Sequence, residues 1–195
     1  MLDSMNDELD RTAQLVDKAR EGSEAAFAEL VDVHHPALVR FLTGLTGDPE
    51  TAADIAQDTF VSAYEKLDQL RDDHSFSAWL HQIARNRWRS HLRRQQRIRF
   101  FSFDWLFDAT ERLPGSQIQP DPSLAYPEQR QVQQALNELA PGLREALILN
   151  AICGFPSREV AQILDISNSA AQKRIVRASQ QFRDVYLELD RRSAE

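Results

Sequence analysis

Seven arginines, Arg85, Arg87, Arg89, Arg93, Arg94, Arg97 and Arg99, fall within residues 85–99, and no acid lies among them. Guanidinium groups at this density suit one kind of chemistry, the holding of phosphate oxygens. Arg85, Arg89 and Arg93 recur at i, i+4 and i+8, which puts them on one stripe of a helix. Phe76, Trp79 and Trp88 interleave with the cations, and aromatic faces can stack on bases freed from a duplex at roughly 1–3 kcal/mol per base. The plainer reading of both tryptophans is core, because they share the apolar side of that helix with Leu80, Ile83, Ala84 and Leu92. The chain as a whole carries a formal charge of −7, so the basic cluster is a local address for a polyanion. Residues 1–25 hold seven acids against three bases, which suggests that the acidic part faces a different partner.

A second constellation lies at residues 157–178, SREVAQILDISNSAAQKRIVRA. A short amphipathic helix, a tight turn and a second helix with a polar, basic outer face form a helix-turn-helix. Val160, Ala161, Leu164, Ile166 and Ile175 would fix the two helices. Ser169, Gln172, Lys173, Arg174 and Arg177 remain for solvent or DNA; glutamine pairs with adenine edges, and lysine or arginine with guanine edges or phosphates. An αα-hairpin with a solvated basic face has the same pattern. A third constellation, Asp54, Gln57, Asp58 and Phe60 on the segment 48–67, sets acids beside apolar residues, either as a protein-partner surface or as an ordinary amphipathic helix.

Other chemistries find no support. His34 and His35 are adjacent, so they point to different sides of a helix and cannot chelate together. His74, His81 and His91 show no metal spacing. There is no glycine-rich phosphate loop and no nucleophile with its base, so neither a catalytic residue nor a metal or cofactor site is expected. The one cysteine, Cys153, cannot make an internal disulfide or a thiolate zinc cluster. The acidic N-terminus does not read as a signal peptide, and no apolar run approaches the roughly 20 residues of a membrane span. The expectation is a cytoplasmic protein with no membrane insertion of its own.

The elements that position these groups are helical. Alanine, leucine, glutamate, glutamine and arginine dominate, and β-branched runs are rare. Asp10–Glu21 reads as a helix ended by Gly22, with Ser23 capping the next. That next helix carries Phe27, Leu30, Leu38, Phe41, Leu42 and Leu45 at helical period, with a kink or break expected near His34–His35 from Pro36. Asp48-Pro49-Glu50 is a strong helix start. Residues 71–75 form a charged loop, and Ser75 is placed to cap the arginine-bearing helix. Pro114, Pro120, Pro122 and Pro127 mark a linker, unusual for its aromatic run FFSFDWLF at 100–107. Four helices follow: Glu128–Leu139, about Leu143–Ile152, Ser157–Leu164, and one from Asn168 past Phe182.

These stretches resemble a known family. AFAELV, GDPETAADIAQDTFVSAYEKLDQLR and SFSAWLHQIARNRWRSHLRR, within residues 27–94, resemble the promoter −10 domain of extracytoplasmic-function (group IV) bacterial sigma factors of the sigma-70 family. LNELAPGLREALILNAICGFPSREVAQILDISNSAAQKRIVRA, within 131–183, is similar to the −35 domain of the same family. The resemblance implies an all-α fold of two small helical domains joined by a flexible linker: 1–97, 98–127 and 128–195. It implies core RNA polymerase (β′ clamp and β flap), promoter DNA and an anti-sigma factor as partners. Asp54, Gln57, Asp58 and Phe60 would meet polymerase. Asp73, His74, Ser75, Arg85, Asn86, Arg89, Arg93 and Arg94 would read and melt the −10 element. Ser169, Gln172, Lys173, Arg174 and Arg177 would read the −35 element. The alternative is a stand-alone helix-turn-helix regulator; only a sigma factor needs the Asp54–Phe60 surface. Against the family's habit, two alanines stand at 170–171 in the recognition helix, and Pro156 stands where a capping serine is usual.

Overall fold

A computed structural model describes residues 2–101 and 127–193, with side chains described for 9–95 and 128–193. The described residues form helices and turns with no strand: α1 (Leu2–Arg20), α2 (Glu24–Thr46), α3 (Pro49–Glu65), α4 (Phe76–Phe101), α5 (Pro127–Asn137), α6 (Pro141–Leu147), α7 (Ser157–Leu164) and α8 (Asn168–Ser193). Two 3₁₀ turns, Leu67–Gln69 and Asp73–Ser75, join α3 to α4.

Local chemistry sets most boundaries. Ser23 caps α2 by accepting from the Ala26 N–H at 3.3 Å. Gly47, at φ 70°, closes the same helix with its N–H on the Thr43 carbonyl, a left-handed position that favours glycine. Asp48 caps α3 by accepting from the backbone N–H of Glu50 and Thr51. The Thr51 hydroxyl and these N–H groups hold the Asp48 carboxyl below the usual carboxylate range.

Three expectations need correction. The helix carrying Pro36 is not broken; α2 runs continuously through it. Proline removes one donor and leaves the carbonyl of Asp32 without its partner, but both residues are exposed, so water can take that carbonyl. Ser75 does not cap α4. Asp72 caps the preceding 3₁₀ turn, accepting from the His74 N–H and the Ser75 hydroxyl. The helix expected over Leu143–Ile152 begins at Pro141 and changes at Ile148 into one wide π turn. The Cys153 N–H bonds to the Ile148 carbonyl and the Phe155 N–H to that of Leu149, which brings the buried Phe155 back toward α4. The aromatic run at 100–107 falls largely outside the described residues.

α1, α2, α3 and the first half of α4 build one core around Leu30, Leu38, Phe41, Leu42, Phe76 and Leu80, all fully buried. α5 to α8 build a smaller one around Ile148, Leu149, Val160, Ile163, Ala171 and Ala178. The two join into a single hydrophobic cluster. α4 packs on α7, and the π turn packs on α2. Ile148 leaves so little room at Gly44 that an added Cβ there would stand 3.0 Å from Cδ1, and Gln133 donates to the Gly44 carbonyl at 3.3 Å. The His81 ring meets that of Phe155 edge-on with centroids 4.7 Å apart. No described helix is long and apolar enough to cross a membrane.

Candidate functional site

The basic helix α4 divides by face. Phe76, Leu80, Ala84 and Trp88 are buried, and Trp79 is half-buried against the core, so the plainer reading of the tryptophans holds. Asn86, Arg93 and Arg94 are exposed. Arg93 donates to the Ser90 hydroxyl at 3.0 Å, and Arg87 bonds the Ser62 hydroxyl. Arg85 and Arg89 behave otherwise. The Arg85 Nε donates to the Glu145 carboxylate of α6 at 2.8 Å, with the two side chains only 8% and 4% exposed. Arg89 adds bonds to both Glu145 oxygens, at 3.2 and 3.3 Å. Arg85 is thus a buried ion-paired residue, not a solvent-facing cation. No sequence signal within α4 shows this, because the acid lies 60 positions along the chain.

The turn before α4 is held from behind. Arg20, at the end of α1, donates to Asp73 Oδ1 at 2.7 Å and Oδ2 at 3.2 Å, and to the Leu70 carbonyl at 3.1 Å. Arg20 holds the Asp73 carboxyl below its ordinary range. Asp73, read from sequence as a DNA contact, is therefore half-buried and engaged. His74 is exposed, with Nε2 3.2 Å from Asp10 of α1, and Ser75 is half-buried on Asp72. Between this turn and α7 lies a cleft of about 270 Å³, lined by Leu70, Asp72, Ser75, Trp79, Gln82 and, from α7, Gln162 and Ile163.

A separate, open groove of about 730 Å³ lies between α2 and α3. Asp54 and Gln57 stand on its rim, and Asp58 is exposed nearby on α3. Phe60 is only 6% exposed, in the Ile55, Ala56, Thr59, Ala63 stripe, yet it lines the groove together with His35, the two rings stacked 6.2 Å apart. Beside it in the same groove, Val61 and Tyr64 are the exposed large apolar residues of α3, 54% and 46% exposed. The helical period of α3 is the signal that could have separated these two sets.

The helix-turn-helix is present. α7 ends on Asp165 in the left-handed conformation, φ 54°, with the Ile166 N–H returning to the Ala161 carbonyl. Ser167 caps α8 by accepting from the Ala170 N–H. Pro156 starts α7 without a side-chain cap. Val160, Ala161 and Leu164 are buried as expected, whereas Ile166 and Ile175 are only partly so. Ala171 is fully buried between the helices, so it is a packing residue and leaves the outer face unchanged. Ser169, Gln172, Lys173 and Arg177 are exposed; Arg174 is half-buried, with its guanidinium over Gly142. Cys153 is half-buried against the core, and burial pushes its thiol up to about 12, away from the thiolate form. The described residues hold no group of three or more metal-ligating side chains.

Comparison with known proteins agrees with these parts. The family model described as Sigma-70 region 2 matches residues 30–98, and Sigma-70, region 4 matches 129–182. The RNA polymerase sigma factor CnrH of Cupriavidus metallidurans is 36% identical over 173 residues, covering 84% of this chain and 88% of that one. The ECF RNA polymerase sigma factor SigE of Mycolicibacterium smegmatis is 31% identical, over 84% of this chain and 63% of its own. Among solved structures, CnrH in complex with the cytosolic domain of CnrY superposes with a TM-score of 0.69 at 28% identity, over 92% of this chain and 99% of that one. The sigma factor RpoE of Bartonella quintana, in complex with the anti-sigma factor NepR, gives 0.66 at 27% identity, over 84% and 98%. A stand-alone regulator would need only the second region; with both regions present in family order, the chain belongs to the extracytoplasmic-function group of sigma-70-type RNA polymerase sigma factors.

Proposed function

We propose that this sigma factor divides its work between three surfaces. The α2–α3 groove, with Asp54, Gln57 and Asp58 at its edge and Val61 and Tyr64 exposed, docks on core RNA polymerase at the β′ clamp. Asn86, Arg89, Arg93 and Arg94, with Arg85 once uncovered, hold the −10 strand, while the His74–Ser75 turn and its cleft read a base taken from the stack. Ser169, Gln172, Lys173 and Arg177 of α8 face the −35 major groove, and the same domain meets the β flap. Phosphate contacts and captured bases offset the cost of melting, roughly 1.4 kcal/mol of stacking per base-pair step. The protein works in the cytoplasm, has no chemistry of its own and relies on polymerase for catalysis. The observation that carries this reading is the exposed acidic and apolar face of α3 on the same domain as the cationic α4.

Run-off transcription with core polymerase on genomic fragments tests it, together with a pull-down of core by the wild type and by Asp58→Arg. Wild type is expected to retain core. Reversing the Asp58 charge at a polar interface is expected to weaken retention at least about tenfold, since like-charge juxtaposition costs several kcal/mol. Failure of the wild type to bind core would sink the reading.

The solved relatives CnrH and RpoE were each captured with another chain, for RpoE a named anti-sigma factor. We infer that an anti-sigma factor holds this chain too. A protein isolated from its host always free, at every growth condition, would contradict that.

Arg20 is expected to position the base-reading turn. Arg20→Ala removes three bonds to the turn and leaves the Asp73 carboxylate without its partner, at a cost of about 1–3 kcal/mol in local order. Promoter melting, followed by permanganate footprinting, is expected to fall, with core retention unchanged. Equal loss of both would show general unfolding instead.

A further inference from the structure

The cations that face DNA in the reading above are not all available. One carboxylate, Glu145, is gripped through both oxygens by two guanidinium groups, at 2.8 Å from Arg85 and at 3.2 and 3.3 Å from Arg89. Its side chain is 4% exposed. A carboxylate and a phosphodiester present the same feature to arginine, two anionic oxygens on one centre, and planar guanidinium groups bind either in forked fashion. Arg93, the next member of the stripe, lies in solvent, so the track of cations runs out from under Glu145 along α4.

The α5–α8 domain covers more than the charges. Gln162 and Ile163 of α7 wall the cleft beside the base-reading turn. Phe155 seats its ring against His81 of α4, and Ile148 seats on Gly44. Four contacts of different chemistry therefore hold the α5–α8 domain on the α1–α4 domain, and two of them, at Arg85 and Arg89 and at the cleft beside the turn, fall on groups assigned above to the opened strand. We propose that Glu145 is an internal occupant of a phosphodiester site built by Arg85 and Arg89, and that it latches the −35 domain over the −10 reading face while the protein is free. This rests on the reading of α4 as the −10 surface.

The chemistry suits a latch rather than a permanent staple. A buried ion pair recovers little beyond its desolvation penalty. Two guanidinium groups facing one carboxylate leave a surplus positive charge, so a polyanion with successive phosphates is the better ligand. An acidic chain, −7 overall, that shields its own cations avoids stray nucleic acid until polymerase holds the domains apart.

The test uses the full chain, without polymerase or any inhibitor. Glu145→Gln removes the charge at constant shape. Gly44→Leu wedges Ile148 away and touches no charge. The probes are a fluorescein-labelled oligo-dT strand, read by anisotropy at fixed salt, and the radius of gyration by X-ray scattering. Both variants are expected to expand and to bind the strand at least about tenfold more tightly, because apparent affinity scales with the competent fraction. Adding Arg85→Ala to Glu145→Gln is expected to remove that gain. If neither variant expands nor binds more tightly, while Arg85→Ala lowers promoter melting by the holoenzyme, the latch is overturned and the reading of α4 stands. Expansion without tighter binding, and with melting by Arg85→Ala holoenzyme at the wild-type level, overturns the phosphodiester site and that reading together.

Discussion

Phe41→Ala is expected to cost about 3–5 kcal/mol, the usual range for deleting a buried aromatic ring. For a chain of this size that lowers Tm by roughly 6–20 °C. Phe41 is fully buried at the centre of the α1–α4 core. Its ring meets His81 edge-on with centroids 5.3 Å apart, and His81 in turn meets Phe155 at 4.7 Å. Removing the ring leaves a cavity under the residue that carries the contact to the second domain. The loss should therefore spread, because buried residues of both domains form one cluster. Far-UV circular dichroism, which reports every helix, and tryptophan fluorescence, to which Trp79 and Trp88 of α4 contribute, are expected to shift together in one transition. If a second helical transition stayed at the wild-type Tm, the α5–α8 domain would be independent of Phe41.

What could be read from the sequence was what is decided locally. Asp48, Pro49 and Glu50 start a helix by capping, by fixed φ and by charge, all within four residues, and α3 begins there. The helix-turn-helix was legible because Val160, Ala161 and Leu164 repeat at helical spacing around a short turn. The features that went unseen are pairings between distant positions. Arg20 finds Asp73 across 53 positions and Arg85 finds Glu145 across 60. A stripe of arginines without local acids gives no hint that a carboxylate from another domain will meet it. Phe60 is a different case. Its place in the buried stripe follows from the period of α3, whereas its role at polymerase is implied by the family resemblance alone. Ser75 shows how close competition misleads: Asp72, three positions earlier, accepts more strongly as a carboxylate and takes the Ser75 hydroxyl as one of its donors.

Acid should unfold this protein earlier than its carboxylates alone would require. His81 is buried and His34 half-buried, and desolvation pushes each from an ordinary 6.5 down to about 4. His81 Nδ1 lies 2.8 Å from the Ser77 carbonyl, so that nitrogen carries the proton and Nε2 is left as an acceptor. Neither His81 Nε2 nor His34 Nε2 has a hydrogen-bond partner among the described residues. The sign follows from the lowered native values. Above 6.5 both rings are neutral, folded or unfolded, and pH has no leverage through them. Between 6.5 and 4 the unfolded chain takes up two protons that the native state refuses. Stability then falls by about 1.4 kcal/mol per pH unit for each ring, up to about 3 kcal/mol each over the window. Below 4 the native rings begin to charge and the slope flattens, while Asp48 and Asp73, held low in the native state, start to add their own loss. Urea midpoints measured from pH 7 to 4.5 are expected to decline steadily below 6.5, and His81→Gln, which keeps a donor for Ser77 but cannot titrate, should roughly halve the slope. An unchanged slope in His81→Gln would mean that His81 protonates in the native protein as readily as in the unfolded one, and that the α4–Phe155 contact admits a charge.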